Sequence, residues 1–202
     1  FLTNEEFDRP GFEAAKYVFT PPLRSADHQA DLWRGLFNGD LSVVSTDHCP
    51  FCFEEDQPYG LKFSKRQGEA EGFHKIPNGG PGIEHRIPVL FDGAVGKRGM
   101  SLNRFVELVA TNPAKLFGMY PRKGTIAVGS DADIVLFDPD ESWTIRAAEQ
   151  HSRVDYALFE GFTVRGRAKK VFLRGQLIVD GDRWLGREGM GEFLHRGESG
   201  RL

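Results

Sequence analysis

An aspartate at the end of an apolar run is the first residue here whose type and place suit chemistry. Asp47 follows the strand-like segment 41–46, whose apolar run is 41–44. It sits in Ser45-Thr46-Asp47-His48-Cys49-Pro50-Phe51, ahead of a long polar stretch. The C-terminal ends of strands in a parallel barrel are where such folds place reacting groups. A carboxylate there can ligate a metal or exchange a proton. A lone aspartate after a strand also serves as a turn or helix-cap residue. Spacing by itself leaves both readings open.

Cys49-Pro50-Phe51-Cys52 is a C-x-x-C pair with two readings of its own. A redox pair needs its thiols at a helix N-terminus, where their pKa falls. The acidic run Phe53-Glu54-Glu55-Asp56 that follows does not start an amphipathic helix. A zinc site needs two further ligands, for which His48 and His74 are candidates at irregular spacing. The expectation is therefore two free thiols. The six histidines are His28, His48, His74, His85, His151 and His195. None forms His-x-His or His-x-x-x-His, so no complete metal site can be built locally. His28 lies near a helix start and reads as a surface residue.

The elements that must position Asp47 follow from periodicity. Tyr17-Val18-Phe19 is a short apolar run ending at Thr20-Pro21-Pro22, and 41–46 is strand-like. Between them 27–38 reads as a helix, with Leu32, Trp33, Leu36 and Phe37 on one face and Gly39 as its stop. Residues 48–82 are polar, rich in Gly and Pro and without a clear period, a length of connection that is usually functional or mobile. Two helices follow. In the second, Leu102, Phe105, Val106 and Val109 share a face and Ser101 is its N-cap. Thr111-Asn112-Pro113 restarts a short helix through Phe117. Strand, helix, strand, helices is a βαβα unit of a parallel sheet. It is incomplete as a barrel, because a closed (β/α)8 barrel takes about 250 residues.

Beyond Tyr120 the pattern turns to β. Short strands are expected at 125–128, 132–137 and 143–145, with a hairpin of 169–173 and 176–179 about Arg174-Gly175. Segment 147–161 has no clear period, and the Gly-rich, charged 186–202 reads as a tail that is solvated or ordered only against another subunit. The 202 residues carry a net charge of -3, which points to no nucleic-acid or anionic-membrane partner. The basic stretch 165–174 is spaced for the solvated face of a strand. No apolar run approaches the roughly 20 residues that span a bilayer. The chain opens on Phe1 and shows no secretory signal, so a removed start or a piece of a longer protein is expected. Two cysteines in a chain of this size make a reducing, cytoplasmic setting the default.

Several segments, in order along nearly the whole chain, carry a resemblance. They are Tyr17-Val18-Phe19-Thr20-Pro21-Pro22-Leu23-Arg24, then Thr46-Asp47-His48-Cys49-Pro50-Phe51, then Lys75-Ile76-Pro77-Asn78-Gly79 with Gly82-Ile83-Glu84. Thr111-Asn112-Pro113-Ala114-Lys115 and the stretch from Tyr120-Pro121-Arg122-Lys123-Gly124 to Asp131-Ala132-Asp133 complete the set. Together they resemble the dihydropyrimidinase/hydantoinase branch of the cyclic amidohydrolases.

The resemblance implies an α/β fold: the C-terminal portion of a TIM-like (β/α)8 metallo-dependent hydrolase barrel over 1–118, then part of a small β-sandwich domain over 119–185, then a tail over 186–202 used in subunit contacts. It implies two divalent metals, usually zinc, bridged by hydroxide and a carbamylated lysine. In the family that lysine, a His-x-His pair and two later histidines lie upstream of the part matched here. Asp47 matches the barrel's last metal ligand, which also accepts the proton of the attacking water. Main-chain groups near Thr20 and Asn78 match those that hold the ring-ureide edge of the substrate. Without the resemblance both are turn residues, beside prolines and glycines respectively.

The implied activity is hydrolysis of the ring C–N bond of a 5,6-dihydropyrimidine or 5-substituted hydantoin to an N-carbamoyl amino acid, in a cytoplasmic homo-oligomer, dimer or tetramer. Allantoinase and dihydroorotase are neighbours that Ile76-Pro77-Asn78-Gly79 disfavours. A non-catalytic scaffold of the collapsin-response-mediator type is the other class, which tends to lack the carboxylate seen at Asp47. The sequence departs from the family between Phe53 and Lys75, where it is longer, and at Cys52, where a polar residue is usual; preferred substrate size stays open.

Overall fold

The structure is a computed structural model and describes residues 1–54 and 64–202. Residues 55–63 of the expected long loop, with Glu55 and Asp56, lie outside the described residues. The chain divides into two compact units, one of residues 1–35, 45–86 and 144–163, the other of 36–44, 87–143 and 164–202. Among the described residues no helix is long and apolar enough to cross a membrane.

The first unit is organised by aromatic burial. The 3-10 turn Glu13–Tyr17 buries Ala15 and Tyr17. These pack with Phe53, Ile76, Tyr156 and Leu158, and with half-buried neighbours that include Val18 and Phe19. The Tyr156 hydroxyl donates to the Lys16 carbonyl at 3.3 Å, which gives a buried polar tip its partner. Helix α1, Asp27–Asn38, forms as expected. Gly39, in left-handed backbone at φ 95°, follows it as the stop. Its apolar stripe is only partly covered: Leu36 is buried, but Leu32 and Phe37 are exposed among the described residues. The stretch expected to lack a period holds helix α2, Gln67–Glu71, and a 3-10 turn, Phe73–Lys75.

Neither expected early strand is present as a strand. Tyr17 ends a 3-10 turn, and 18–19 and 41–46 have no regular secondary structure. A strand needs a neighbour to share a continuous ladder; the Val18 carbonyl accepts a single bond from Gly79 N and Val44 N gives a single one to the Leu108 carbonyl, and neither segment joins a sheet among the described residues. In the second unit, 41–44 is tied to helices instead. Arg104 donates to the Leu36 and Leu41 carbonyls at 2.9 and 3.0 Å, and Asn112 donates to the Ser42 carbonyl at 2.9 Å.

Those helices are α3, Arg86–Phe91, then α4, Leu102–Val106, and α5, Asn112–Leu116. Ser101 caps α4, its hydroxyl accepting from Arg104 N at 3.2 Å, as its residue type predicted. A π turn, Glu107–Thr111, joins α4 to α5. Of the expected face, Phe105 is buried and Val109 half-buried, whereas Leu102 and Val106 are exposed; Leu108, outside that face, is buried.

The β part is one four-stranded sheet in the order β1-β2-β3-β4. Strand β1 runs Ile134–Thr144 without a break, merging two expected short strands. The expected strand at 125–128 is turn and bend instead, with Ile126 and Val128 exposed. Strands β2, Thr163–Leu173, and β3, Gln176–Asp180, pair antiparallel about Arg174 and Gly175. Both turn residues have positive φ, 47° and 78°, which suits the right-handed twist of a two-residue hairpin. Strand β4 is Arg183–Trp184. The basic face of β2 is neutralised within the sheet: Lys169 and Arg167 meet Glu141, and Lys170 meets Asp180. The tail has no regular structure, and its Gly200 N–H and Ser199 hydroxyl cap the Lys115 and Leu116 carbonyls at the end of α5.

Candidate functional site

The candidate site lies in the first unit, where three loop segments meet. Chain 18–20 leaves the turn at Tyr17, and chain 77–79 leaves the 3-10 turn at Lys75. Gly79 N–H donates to the Val18 carbonyl at 3.1 Å, so the two run side by side. Thr20 and Asn78, 58 residues apart, are joined directly: the Thr20 hydroxyl donates to the Asn78 side-chain oxygen at 3.0 Å. Both are exposed. Among the described residues their main-chain N–H and C=O groups make no backbone hydrogen bond.

The Asp47 segment closes against the same loop. Gly79 has φ 141°, and a Cβ there would stand 2.3 Å from the Cys49 carbonyl oxygen. Glycine is required there by both conformation and space. Beside it His48, half-buried, accepts at Nδ1 from Gly82 N (3.1 Å) and Ile83 N (3.4 Å). An imidazole accepting at Nδ1 carries its proton on Nε2 and is neutral. Burial lowers the His48 pKa, which favours that same form. Neither the closeness at Gly79 nor the bonds of His48 could be read from spacing.

Asp47 itself is exposed and has φ 44°, in the left-handed region. Asp tolerates that region better than most residues, at some cost in strain. Turn and cap roles both need the carboxylate to accept from a nearby backbone N–H. Among the described residues no such bond and no ion pair engages it. A carboxylate oxygen is a donor that a divalent metal takes readily. A catalytic zinc site, however, takes three protein ligands and a water. The described residues hold no group of three or more His, Cys, Asp or Glu able to bind a metal. Asp47 therefore fits as one ligand of such a site, and the described residues do not provide the rest.

The cysteines are both free, Cys49 exposed and Cys52 buried. The Cys52 thiol points to the Arg153 carbonyl at 3.7 Å, and burial pushes its pKa up. That is opposite to what a reactive thiol needs. Further bonds hold the loop ends. Asp155 accepts from Phe53 N and Glu54 N at 2.7 and 2.9 Å. Glu84 accepts from the backbone of His151 and Ser152 and from the His151 ring. Burial pushes the Glu84 carboxyl up, but these donors outweigh it and hold it below the usual range.

One group went unread in the sequence. Lys65 is fully buried. Its ammonium donates to the Pro77 carbonyl at 2.6 Å and the Val18 carbonyl at 3.1 Å, and lies 6.0 Å from the centre of the Phe19 ring. Burial pushes its pKa down to about 8. Lysine is almost never fully buried, and nothing in its sequence neighbourhood marks it.

The amidohydrolase family pattern matches residues 16–178. A D-hydantoinase of Rhizobium radiobacter is 46% identical over 196 residues, 97% of this chain and 41% of that protein. One of Ralstonia pickettii is 48% identical over the same shares. The crystal structure of dihydropyrimidinase from Brevibacillus agri NCHU1002 superposes with a TM-score of 0.91 at 46% identity, covering 100% of this chain and 42% of that one. An L-hydantoinase (dihydropyrimidinase) from Arthrobacter aurescens gives a TM-score of 0.81 at 32% identity, over 96% and 40%. The chain thus spans about two fifths of the length of these relatives. Its fold is that of the corresponding portion of a TIM-barrel metallo-hydrolase, as expected.

Proposed function

We propose that this chain, which belongs to the amidohydrolase family, is part of an enzyme that opens cyclic ureides. The reaction is hydrolysis of the ring C–N bond of a 5,6-dihydropyrimidine or 5-substituted hydantoin, giving an N-carbamoyl amino acid. The observation that carries this reading is the convergence of chain 18–20, bearing Thr20, and chain 77–79, bearing Asn78, on the loop that follows Asp47. The names of the relatives support it. The carboxylate at Asp47 supports this reading over a non-catalytic scaffold, a class that tends to lack it.

In this reading Thr20 and Asn78 present main-chain groups to the ureide edge. A cyclic ureide alternates C=O and N–H, which backbone groups match with both polarities. Asp47 would hold one metal when it is bound, and its carboxylate accepts the proton of the attacking water. It then passes that proton to the leaving nitrogen, so the ring opens to a carboxylate and a carbamoyl amine. When bound, two divalent metals, zinc by preference, would lower the water's pKa and polarise the carbonyl. A carbamylated lysine and the histidine ligands belong to the remainder of the complete enzyme. We retain the division into barrel (1–118), small β domain (119–185) and tail (186–202), the last a subunit contact in a cytoplasmic dimer or tetramer.

The test is turnover of dihydrouracil and a 5-substituted hydantoin by the complete enzyme and its Asp47→Ala variant. Ring opening by the parent and almost none by the variant is expected. A parent that opens neither ring rejects the reading.

A further inference from the structure

The buried ammonium of Lys65 has no evident reason in the chemistry above. We propose that Lys65 is a positioning residue, which sets the spacing and tilt of the two main-chain segments that carry Thr20 and Asn78 and so governs how tightly the ureide edge is held. This rests on the substrate reading of those two residues.

A buried charge is unfavourable unless it is paired and fully hydrogen-bonded. Among the described residues no carboxylate forms an ion pair with Lys65. Its partners are two neutral carbonyls, one from each segment. A leucine or methionine would fill the space without the penalty of desolvation. What an apolar side chain cannot do is bridge Val18 O and Pro77 O.

The bridge has a direct geometric consequence. The Pro77–Asn78 peptide is trans, and a trans peptide is planar with its C=O and N–H on opposite sides. A Pro77 carbonyl drawn inward to the Lys65 ammonium therefore turns the Asn78 N–H outward, away from the buried lysine. On the other segment the Val18 carbonyl accepts from both Lys65 and Gly79 N, which fixes the separation of the two chains. The Thr20–Asn78 side-chain bond closes the same pair further out. Lys65 is itself anchored, its N–H donating to the Cys52 carbonyl at 2.9 Å. Its pKa, pushed down to about 8, fits a group held by geometry and not by a counter-charge.

The experiment uses the complete enzyme, with steady-state kinetics on a hydantoin and calorimetric binding of the same hydantoin to the metal-free enzyme, which binds it without turnover. Lys65→Met should raise KM and the hydantoin Kd at least about tenfold, while kcat falls less than about threefold; a lost pair of buried hydrogen bonds is of that order. Lys65→Arg keeps donors for both carbonyls and should recover most of the loss. If the Met variant does not fold, Lys65→Gln, with two N–H donors on a shorter stem, should show a KM rise of about threefold. Tyr156→Phe loosens the same core and should lower Tm with KM unchanged, which separates positioning from general destabilisation. A folded Met or Gln variant with unchanged KM and Kd overturns the proposal, as does a loss confined to kcat. A parent enzyme that opens no ureide ring overturns the substrate reading first, and the role of Lys65 with it.

Discussion

The Thr20 hydroxyl donates to the Asn78 side-chain oxygen at 3.0 Å, across 58 residues of sequence. The bond closes two loops over exposed main chain whose N–H and C=O groups are otherwise uncommitted among the described residues. If those groups hold the substrate, Thr20→Ser keeps the donor and should leave KM of the complete enzyme within about twofold. Thr20→Val removes it at nearly equal volume and should raise KM by about three- to tenfold, the range for one neutral hydrogen bond. Equal KM values for the two variants would show that the bond does not shape the binding edge.

Asp47→Asn is the sharper test of the acid–base role. Asn keeps the size and one oxygen ligand but cannot accept a proton at neutral pH. It should retain part of the metal, measured by atomic absorption, with an unchanged circular dichroism spectrum. Its kcat should fall by about 10²–10⁴, the scale of general acid–base assistance. Near-normal kcat at normal metal content would remove Asp47 as proton acceptor.

The chain of 202 residues by itself should be inactive and bind zinc poorly, because one carboxylate cannot replace the ligands a catalytic site needs. Zinc titration followed by calorimetry checks this. Hydrolysis of dihydrouracil by the purified chain at a rate near that of full-length relatives would contradict it.

Cys49 and Cys52 should differ. Cys49→Ser is exposed and should be silent, whereas Cys52→Ser places a hydroxyl where a thiol is buried and should cost about 1–2 kcal/mol in urea unfolding. The double variant of the complete enzyme should keep its metal and its activity. Loss of one zinc equivalent would instead support a zinc site at the C-x-x-C pair.

Lys65 predicts a pH dependence of stability. Its pKa falls from 10.5 to about 8 on folding, because burial disfavours the charged form. Between those values the unfolded chain binds more protons, so the contribution of Lys65 to stability rises with pH from about 8 to 10.5 and is lost as pH falls back through 8. Stability of the parent relative to Lys65→Met, from denaturant titrations at pH 7.5, 9 and 10, should climb across that window. A flat difference would mean that Lys65 is solvated.

Local chemistry was legible from the sequence alone. The Ser101 cap, the stop at Gly39, the hairpin about Arg174-Gly175 and the family segments around Asp47 and Asn78 each depend on residues a few positions apart, whose conformational preferences act without the rest of the chain. Long-range choices needed the tertiary structure. Segment 41–46 reads as a strand, yet a ladder needs a neighbour, and 41–44 took helix side chains instead. The face expected across 102–109 also differs, with Leu108 buried and Leu102 and Val106 exposed. That Thr20 meets Asn78, that Gly79 admits the Cys49 carbonyl, and that Lys65 joins Val18 to Pro77 are contacts of high sequence separation or of buried polar atoms. Composition and periodicity report which residues prefer water. They do not report which distant carbonyl a buried ammonium will find.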